Sequence, residues 1–234
     1  GDAYLQENKL DQALIAYNRA LTGNEDDPTY VIALEALGDL YYGQRRFDLA
    51  QESYDELLQR ENRPEIRAKR MIAAYNSGDY QTAQRDAERL EDSSVVSNGH
   101  LALLQGKILA DTARNQADWE DALNQLVQAV VQIGVSPESR AIADEYIARA
   151  NYELGNYSDA LSSIKRAINA GETGSRHYLK ALILEAEEDY VEAREEYEFL
   201  LAWSEIFPYP FIDDVQERYA KVVDLIENPP EDDA

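Results

Sequence analysis

Leu37-Gly38-Asp39-Leu40-Tyr41-Tyr42-Gly43-Gln44-Arg45-Arg46-Phe47-Asp48-Leu49-Ala50 holds the pattern from which the architecture of this chain is read. Its second half sets an aromatic three residues before an Ala, and that arrangement recurs along the chain. The other copies read Asn8-Lys-Leu-Asp-Gln-Ala13, Gly78-Asp-Tyr-Gln-Thr-Ala83, Ala117-Asp-Trp-Glu-Asp-Ala122, Gly155-Asn-Tyr-Ser-Asp-Ala160 and Glu188-Asp-Tyr-Val-Glu-Ala193, with Leu in place of the aromatic in the first. Successive Ala positions lie 37, 33, 39, 38 and 33 residues apart. A self-similar period of roughly 34 residues is produced by stacked helical hairpins. Such a stack has a long wall and no single central pocket, which points to binding and away from catalysis.

Four positions after each Ala stand Tyr17, Tyr54, Ala87, Leu126, Ile164 and Tyr197. Three further stand Ala20, Leu57, Leu90, Ala129, Ala167 and Leu200. This spacing puts them on one helical face. Asp79, Asp118, Asn156 and Asp189 precede four of these helices and are expected as N-caps, accepting from unpaired backbone N–H groups. Each landmark therefore opens the second helix of a hairpin. First helices are predicted over about residues 30–42, 64–77, 96–114, 138–154 and 175–187. Pro28, Pro64 and Pro137 fall between hairpins, where the first turn of a helix tolerates proline. The fourth hairpin reads as elongated. No run has the period of two that a strand requires.

These residues resemble the tetratricopeptide repeat (TPR) family. The second copy matches most fully, through Leu37, Gly38, Tyr41, Phe47, Ala50, Tyr54 and Leu57. The first begins at the family's Gly, with Gly1, Tyr4, Ala13, Tyr17 and Ala20 in place, and has lost most of its first helix. The third, fourth and sixth carry Met71, Ala110 and Ala181 where the family favours a small residue. The resemblance implies an all-α, right-handed α-solenoid of about six hairpins. Residues 1–205 form the array, with its first repeat truncated. Residues 206–227 form a capping helix, with Val215, Tyr219, Val222, Val223 and Ile226 on one side, and 228–234 an acidic tail. Trp119 is expected in the core and Trp203 against the cap.

Composition narrows the partners. Acidic residues number 46 and basic ones 22, a net charge of −24. That field repels nucleic acid and anionic membranes. The absence of Cys removes disulfides, thiol nucleophiles and thiolate metal sites. No stretch approaches the ~20 apolar residues of a spanning helix, so direct membrane insertion is not expected. Acidic runs such as Glu187-Glu188-Asp189 read as solvated faces, and His100 and His177 as standing apart from any Ser nucleophile. No enzyme activity, metal or cofactor is expected. The start at Gly1, inside a repeat and without an initiator Met, reads as an excised piece whose upstream signal, lipid anchor or partner domain is missing. Compartment stays open between the bacterial cytoplasm and the outer side of a membrane.

Function is expected on the inner wall. Tyr42, Tyr75 and Tyr152 each come eight residues before a landmark Ala, on a first helix, at a place that lines the concave side in proteins this chain resembles. One turn earlier the same stripe holds Asp39, Ile72, Asp111, Arg149 and Leu182. Lys69, Asn76, Lys107, Arg114, Asn115, Tyr146 and Tyr178 lie nearby. Together they predict a groove with aromatic anchors and a local cluster of positive charge, binding a peptide or helical segment of another protein. Chaperone-binding members grip a partner's terminal carboxylate with paired Lys and Asn. The matching place here holds Glu35, Ala68, Lys107 and Glu145, so the resemblance stops short of that clamp. The alternative is a regulatory or assembly module of a larger or membrane-anchored protein, for example a bacterial envelope-assembly lipoprotein. Self-association through the first hairpin, whose apolar face lacks a covering helix, is a further expectation.

Overall fold

All six landmark Ala residues are fully buried in the computed structural model, which describes residues 1–25, 27–132 and 136–229. Tyr17, Tyr54, Ala87, Leu126, Ile164 and Tyr197 are buried four positions on. Leu57, Leu90, Ala129, Ala167 and Leu200 follow them, while Ala20 is half-buried. Burying this stripe against neighbouring helices is what makes each segment helical, since isolated helices of this length are marginal in water. Among the described residues every regular element is a helix.

The chain divides into two compact units, Gly1–Ser97 and Asn98–Ala234. The first contains α1 (Asp2–Gln6), α2 (Leu10–Ala20), α3 (Pro28–Gly43), α4 (Phe47–Arg60), α5 (Pro64–Ser77) and α6 (Tyr80–Leu90). The second contains α7 (Asn98–Thr112), α8 (Gln116–Gln132), α9 (Pro137–Glu153), α10 (Tyr157–Ala170), α11 (Gly174–Ala186), α12 (Tyr190–Ser204) and α13 (Ile212–Glu227). Odd-numbered helices from α3 to α11 are the first members of hairpins. Within each unit the core is a series of local clusters. One joins Tyr30, Leu34, Tyr54, Leu57 and Ile66 across α3, α4 and α5. Another joins Ala148, Ile164, Ala167 and Ile183 across α9, α10 and α11. Of the acidic tail, residues 230–234 lie outside the described residues.

Five hairpins turn identically. Asn8, Arg45, Gly78, Gly155 and Glu188 have positive φ of 55°, 60°, 87°, 76° and 62°, and each stands five residues before its landmark Ala. The next residue donates its N–H back into the finished helix: Lys9 to Tyr4, Arg46 to Tyr41, Asp79 to Ala74, Asn156 to Asn151 and Asp189 to Leu184, at 2.8–2.9 Å. A left-handed residue followed by this bond satisfies the last carbonyls of a helix. The same residue then starts the second helix. Asp79 accepts from the Thr82 N–H at 3.1 Å and Asp189 from Glu192 at 3.3 Å, as N-caps do. Asn156 does not cap with its side chain; its amide donates to Asn151 Oδ1 instead, at 3.4 Å.

The fourth hairpin corrects the register read from the sequence. Its second helix, α8, starts at Gln116, three residues ahead of Trp119, while α4, α6, α10 and α12 start at the aromatic itself. Asp118 consequently lies inside α8 and Asn115 is the cap. Asn115 Oδ1 accepts from the Asp118 N–H at 3.1 Å, and Asp118 reaches back to the Arg114 N–H at 2.8 Å. A Cβ built on Gly38 would meet the Tyr54 ring at 2.4 Å, and one on Gly106 would meet Leu126 at 2.8 Å. Gly106, not Ala110, is therefore the close-approach residue. Lys107 moves to the place of Asp39, Ile72 and Arg149, the place read from the sequence for Asp111. The clamp position then holds buried Leu103 instead of Lys107.

Helix α13 packs on α12 and closes the second unit. It buries Val215 and Val222 in a cluster with Ala181, Leu184, Tyr197 and Leu200, and Tyr219 and Ile226 lean on the same cluster. Glu185, at the end of α11, accepts from Arg218 at 3.0 Å, Lys221 at 2.6 Å and the Tyr197 hydroxyl at 2.9 Å. Trp203 meets residues 206–227 through Phe207, their rings stacked 5.9 Å apart, and it stays 42% exposed. Trp119 is half-buried, with the Arg149 guanidinium 5.3 Å over its ring.

Candidate functional site

The three Tyr residues of the predicted groove share one geometry. Tyr42 packs on Phe47, Tyr75 on Tyr80 and Tyr152 on Tyr157, with centroids 5.3, 5.7 and 6.0 Å apart and tilts of 48–59°. Each ring thus leans across its hairpin turn onto the aromatic that opens the second helix. Tilted pairs of this kind add about 0.5–1.5 kcal/mol beyond burial. Each residue keeps some surface in water: Tyr42 is 37% exposed, and Tyr75 and Tyr152 are half-buried.

In the first unit, Asp39, Tyr42, Lys69 and Ile72 line a hollow of about 300 Å³ together with Tyr54. Tyr54 was not foreseen there, because its position marks it for the core. Its ring is buried, but its hydroxyl reaches the wall and donates to Asp39 at 2.7 Å. Burial and the Asp39 carboxylate push that phenol's pKa well up. Lys69 bridges Glu35 at 3.0 Å and Asp39 at 2.8 Å. Burial opposes Glu35 ionisation, but Lys69 and Arg63 outweigh it and hold the carboxyl below its ordinary range. Asn76 donates to the Tyr42 hydroxyl at 3.3 Å. Tyr75 stays out of the hollow.

In the second unit, Tyr146, Arg149, Tyr152 and Tyr178 line another hollow of about 300 Å³, with Glu145, Leu179 and Leu182. Arg149 binds Asp111 at 2.8 Å, and the Tyr146 hydroxyl approaches the same carboxylate at 3.4 Å. Lys107 lies 5.5 Å over the Tyr146 ring. Burial pushes its ammonium pKa down, with Asp111 and Glu145 pulling the other way. Tyr178 is partly claimed by the cap region: its ring stacks on Phe211 at 4.5 Å and its hydroxyl donates to Asp214. Burial and that carboxylate raise its pKa to about 12. Arg114 is exposed in the turn before α8.

Of the positive charges expected from the sequence, Lys69 and Arg149 are ion-paired. Each is tied to an acid on the preceding first helix, close to one period away. The same lacing joins Arg176 to Glu145 at 2.8 Å. Within each unit, balanced pairs lace consecutive first helices, with tyrosines and aliphatic residues between them.

Elsewhere, His100 Nε2 lies 3.0 Å from Ser139 Oγ, so it does meet a serine, on an exposed part of α7 and α9. Among the described residues no three His, Asp or Glu side chains converge on a possible metal site, and no helix is long and apolar enough to cross a membrane.

The sequence profile of the tetratricopeptide repeat matches residues 35–71, 109–175 and 147–202, more than half of the chain. No curated protein sequence matches. Among solved structures, PilW, a widely conserved type IV pilus biogenesis factor, superposes with a TM-score of 0.67 at 19% identity, over 92% of this chain and 94% of PilW. A tetratricopeptide repeat protein of Parabacteroides merdae gives 0.62 at 17% identity, over 94% and 80%. A thermophilic TPR protein of Thermus thermophilus gives 0.59 at 19%, over 82% and 98%. At these identities the likeness is one of fold.

Proposed function

We propose that this chain, which belongs to the tetratricopeptide repeat family, is a scaffold holding a peptide or helical segment of another protein against its first helices. The family's fold generally mediates protein–protein interaction, and its members are typically non-catalytic. One observation carries the finer reading. In each unit, consecutive first helices leave a hollow of about 300 Å³ whose rim is tyrosine and whose charged groups are largely neutralised by one another. Ile72 supplies the apolar surface in one, Leu179 and Leu182 in the other. A site that balances its own charges takes an apolar anchor with polar flanks, the pattern of an amphipathic segment. Buried Tyr contacts of this kind are worth roughly 2 kcal/mol each when they act as hot spots.

A photo-crosslinking residue at Ile72, and separately at Leu182, is expected to capture one common partner from native extract, while the same residue at exposed Glu88 on α6 does not. Titration of that partner should then show Ile72→Arg weakening binding more than about tenfold, with thermal melting unchanged. An unchanged affinity removes the wall from the function. Trimming Tyr42, Tyr75 and Tyr152 is a poorer test, because those rings also brace their turns. A second reading, an assembly module of a larger or membrane-anchored protein, draws on the fold likeness to PilW along most of both chains. Self-association rests on the exposure of Tyr4, Leu5, Leu10 and Ile15 in the first hairpin.

A further inference from the structure

A separate hollow of about 340 Å³ lies where the start of α11, the end of α12 and the connector to α13 meet. Phe199, Trp203, Phe207 and Tyr209 wall it, with Glu172 and His177 alongside. Its rings form a chain: His177 to Phe199 at 4.2 Å, Phe199 to Trp203 at 6.1 Å and Trp203 to Phe207 at 5.9 Å. Trp203 and Phe207 keep 42% and 55% of their surface in water. The cap leaves them uncovered, although burying a ring is among the larger gains a helix bundle can make.

The lining of the hollow holds one carboxylate, Glu172, and no Lys or Arg. His177 Nδ1 lies 2.7 Å from Glu196 Oε2. A carboxylate only accepts, so the imidazole donates to Glu196 through Nδ1. That Nε2 is buried and has no hydrogen-bond partner. Glu172 contributes a carboxylate, and the aromatic faces carry the negative lobe of their quadrupoles. Ring faces and carboxylate both favour a cation. The surplus of 46 acids over 22 bases draws such a group toward the chain.

We propose that this aromatic hollow is a second binding site, which takes an arginine or lysine side chain presented by a basic segment of a partner protein. It is distinct from the tyrosine-rimmed wall, and the two Trp residues report on them separately. Trp203 lines the hollow, and Trp119 lies beneath Arg149 on the other site. The full chain, labelled with nitrogen-15, is titrated with acetylated Gly-Gly-X-Gly-Gly amides in which X is Arg, Lys, citrulline or Leu. The two indole N–H resonances are assigned with Trp203→Phe. The Arg and Lys peptides are expected to shift the Trp203 resonance saturably, at concentrations about tenfold below the neutral citrulline peptide. Phe207→Leu and Glu172→Gln should each weaken that response several-fold, and Ile206→Ala, next to the hollow but not in its wall, should leave it alone. Equal saturation by citrulline or Leu overturns the proposal, because the hollow is then a plain apolar anchor site. So does a response at Trp119 with none at Trp203, or no response to any peptide. The wall reading is untouched by either result, since its test uses Ile72.

Discussion

At the residue scale, the turns concentrate the backbone strain of this chain in a few positions. A left-handed conformation costs an L-residue roughly 1–2 kcal/mol, and Asn tolerates it best after Gly. Gly78 and Gly155 occupy it without strain, Asn8 with little, and Arg45 and Glu188 with the full penalty. No atom comes within 4 Å of a Cβ built on Gly78 or Gly155, so the backbone alone decides the outcome there. Gly155→Ala should therefore destabilise by about 1 kcal/mol. Glu188→Gly should stabilise by about 0.5–1 kcal/mol, after the extra freedom of glycine in the unfolded chain is subtracted. Urea titrations of the two variants measure both. A neutral Gly155→Ala would mean that the turn relaxes and that the five bonds behind these residues, not their φ, set its shape. The site was legible at this scale only in part. Tyr42, Tyr75 and Tyr152 could be placed by counting from Ala, but their lean onto Phe47, Tyr80 and Tyr157 is a packing result. The pairing of Lys69 with Glu35 did carry a signal, since opposite charges one period apart can meet on adjacent first helices.

At the element scale, helix bounds were legible because apolar period, proline and cap residue coincided: α5 runs over the 64–77 expected for it. The fourth hairpin was not, and the reason is geometric. An insertion of about four residues at the start of α8 adds close to one turn of 3.6 residues, so the apolar face stays in line and the inserted turn leaves no break in the pattern. The 39-residue spacing from Ala83 to Ala122 showed the extra length, and Gly106 in mid-helix was the clue to where it falls. The capping helix makes the strongest prediction of this scale. Burial raises the pKa of Glu185, but donation from Lys221, Tyr197 and Arg218 more than offsets it, so the carboxyl titrates below its ordinary 4.5. Asp214, bonded by Tyr178 and Arg218, is lowered too. A depressed carboxylate pKa stabilises the fold fully above the unfolded value and ceases to do so as pH falls through the folded one. Glu185→Gln should thus cost roughly 1–3 kcal/mol at pH 7. The gap to the parent chain should begin to close near pH 4.5 and go on closing below it. Urea denaturation over a pH series measures it, and a gap independent of pH would deny the ion pairs their part in holding α13.

At the scale of the whole molecule, charge is the dominant unbalanced quantity. The ladders between first helices pair many bases with acids, yet acids outnumber bases 46 to 22, so about half of them have no base to meet. Like charges held together by folding repel, and this opposes the compact state. Partly buried pairs such as Asp86 with Arg67 and Arg70 are screened little by salt, because water and ions do not reach them. The exposed acidic surplus is screened readily: the Debye length falls from about 30 Å at 0.01 M to about 3 Å at 1 M. Repulsion should therefore weaken faster than attraction as salt is added, and the chain should become more stable. Thermal unfolding in sodium chloride, chosen over sulfate to keep preferential exclusion small, is expected to shift upward between 0.01 and 0.5 M. A gain of about 1 kcal/mol corresponds to roughly 2–4 °C at this chain length. A downward shift would show that the exposed members of the ladders, such as Lys69 between Glu35 and Asp39, contribute more to stability than the surplus charge takes away.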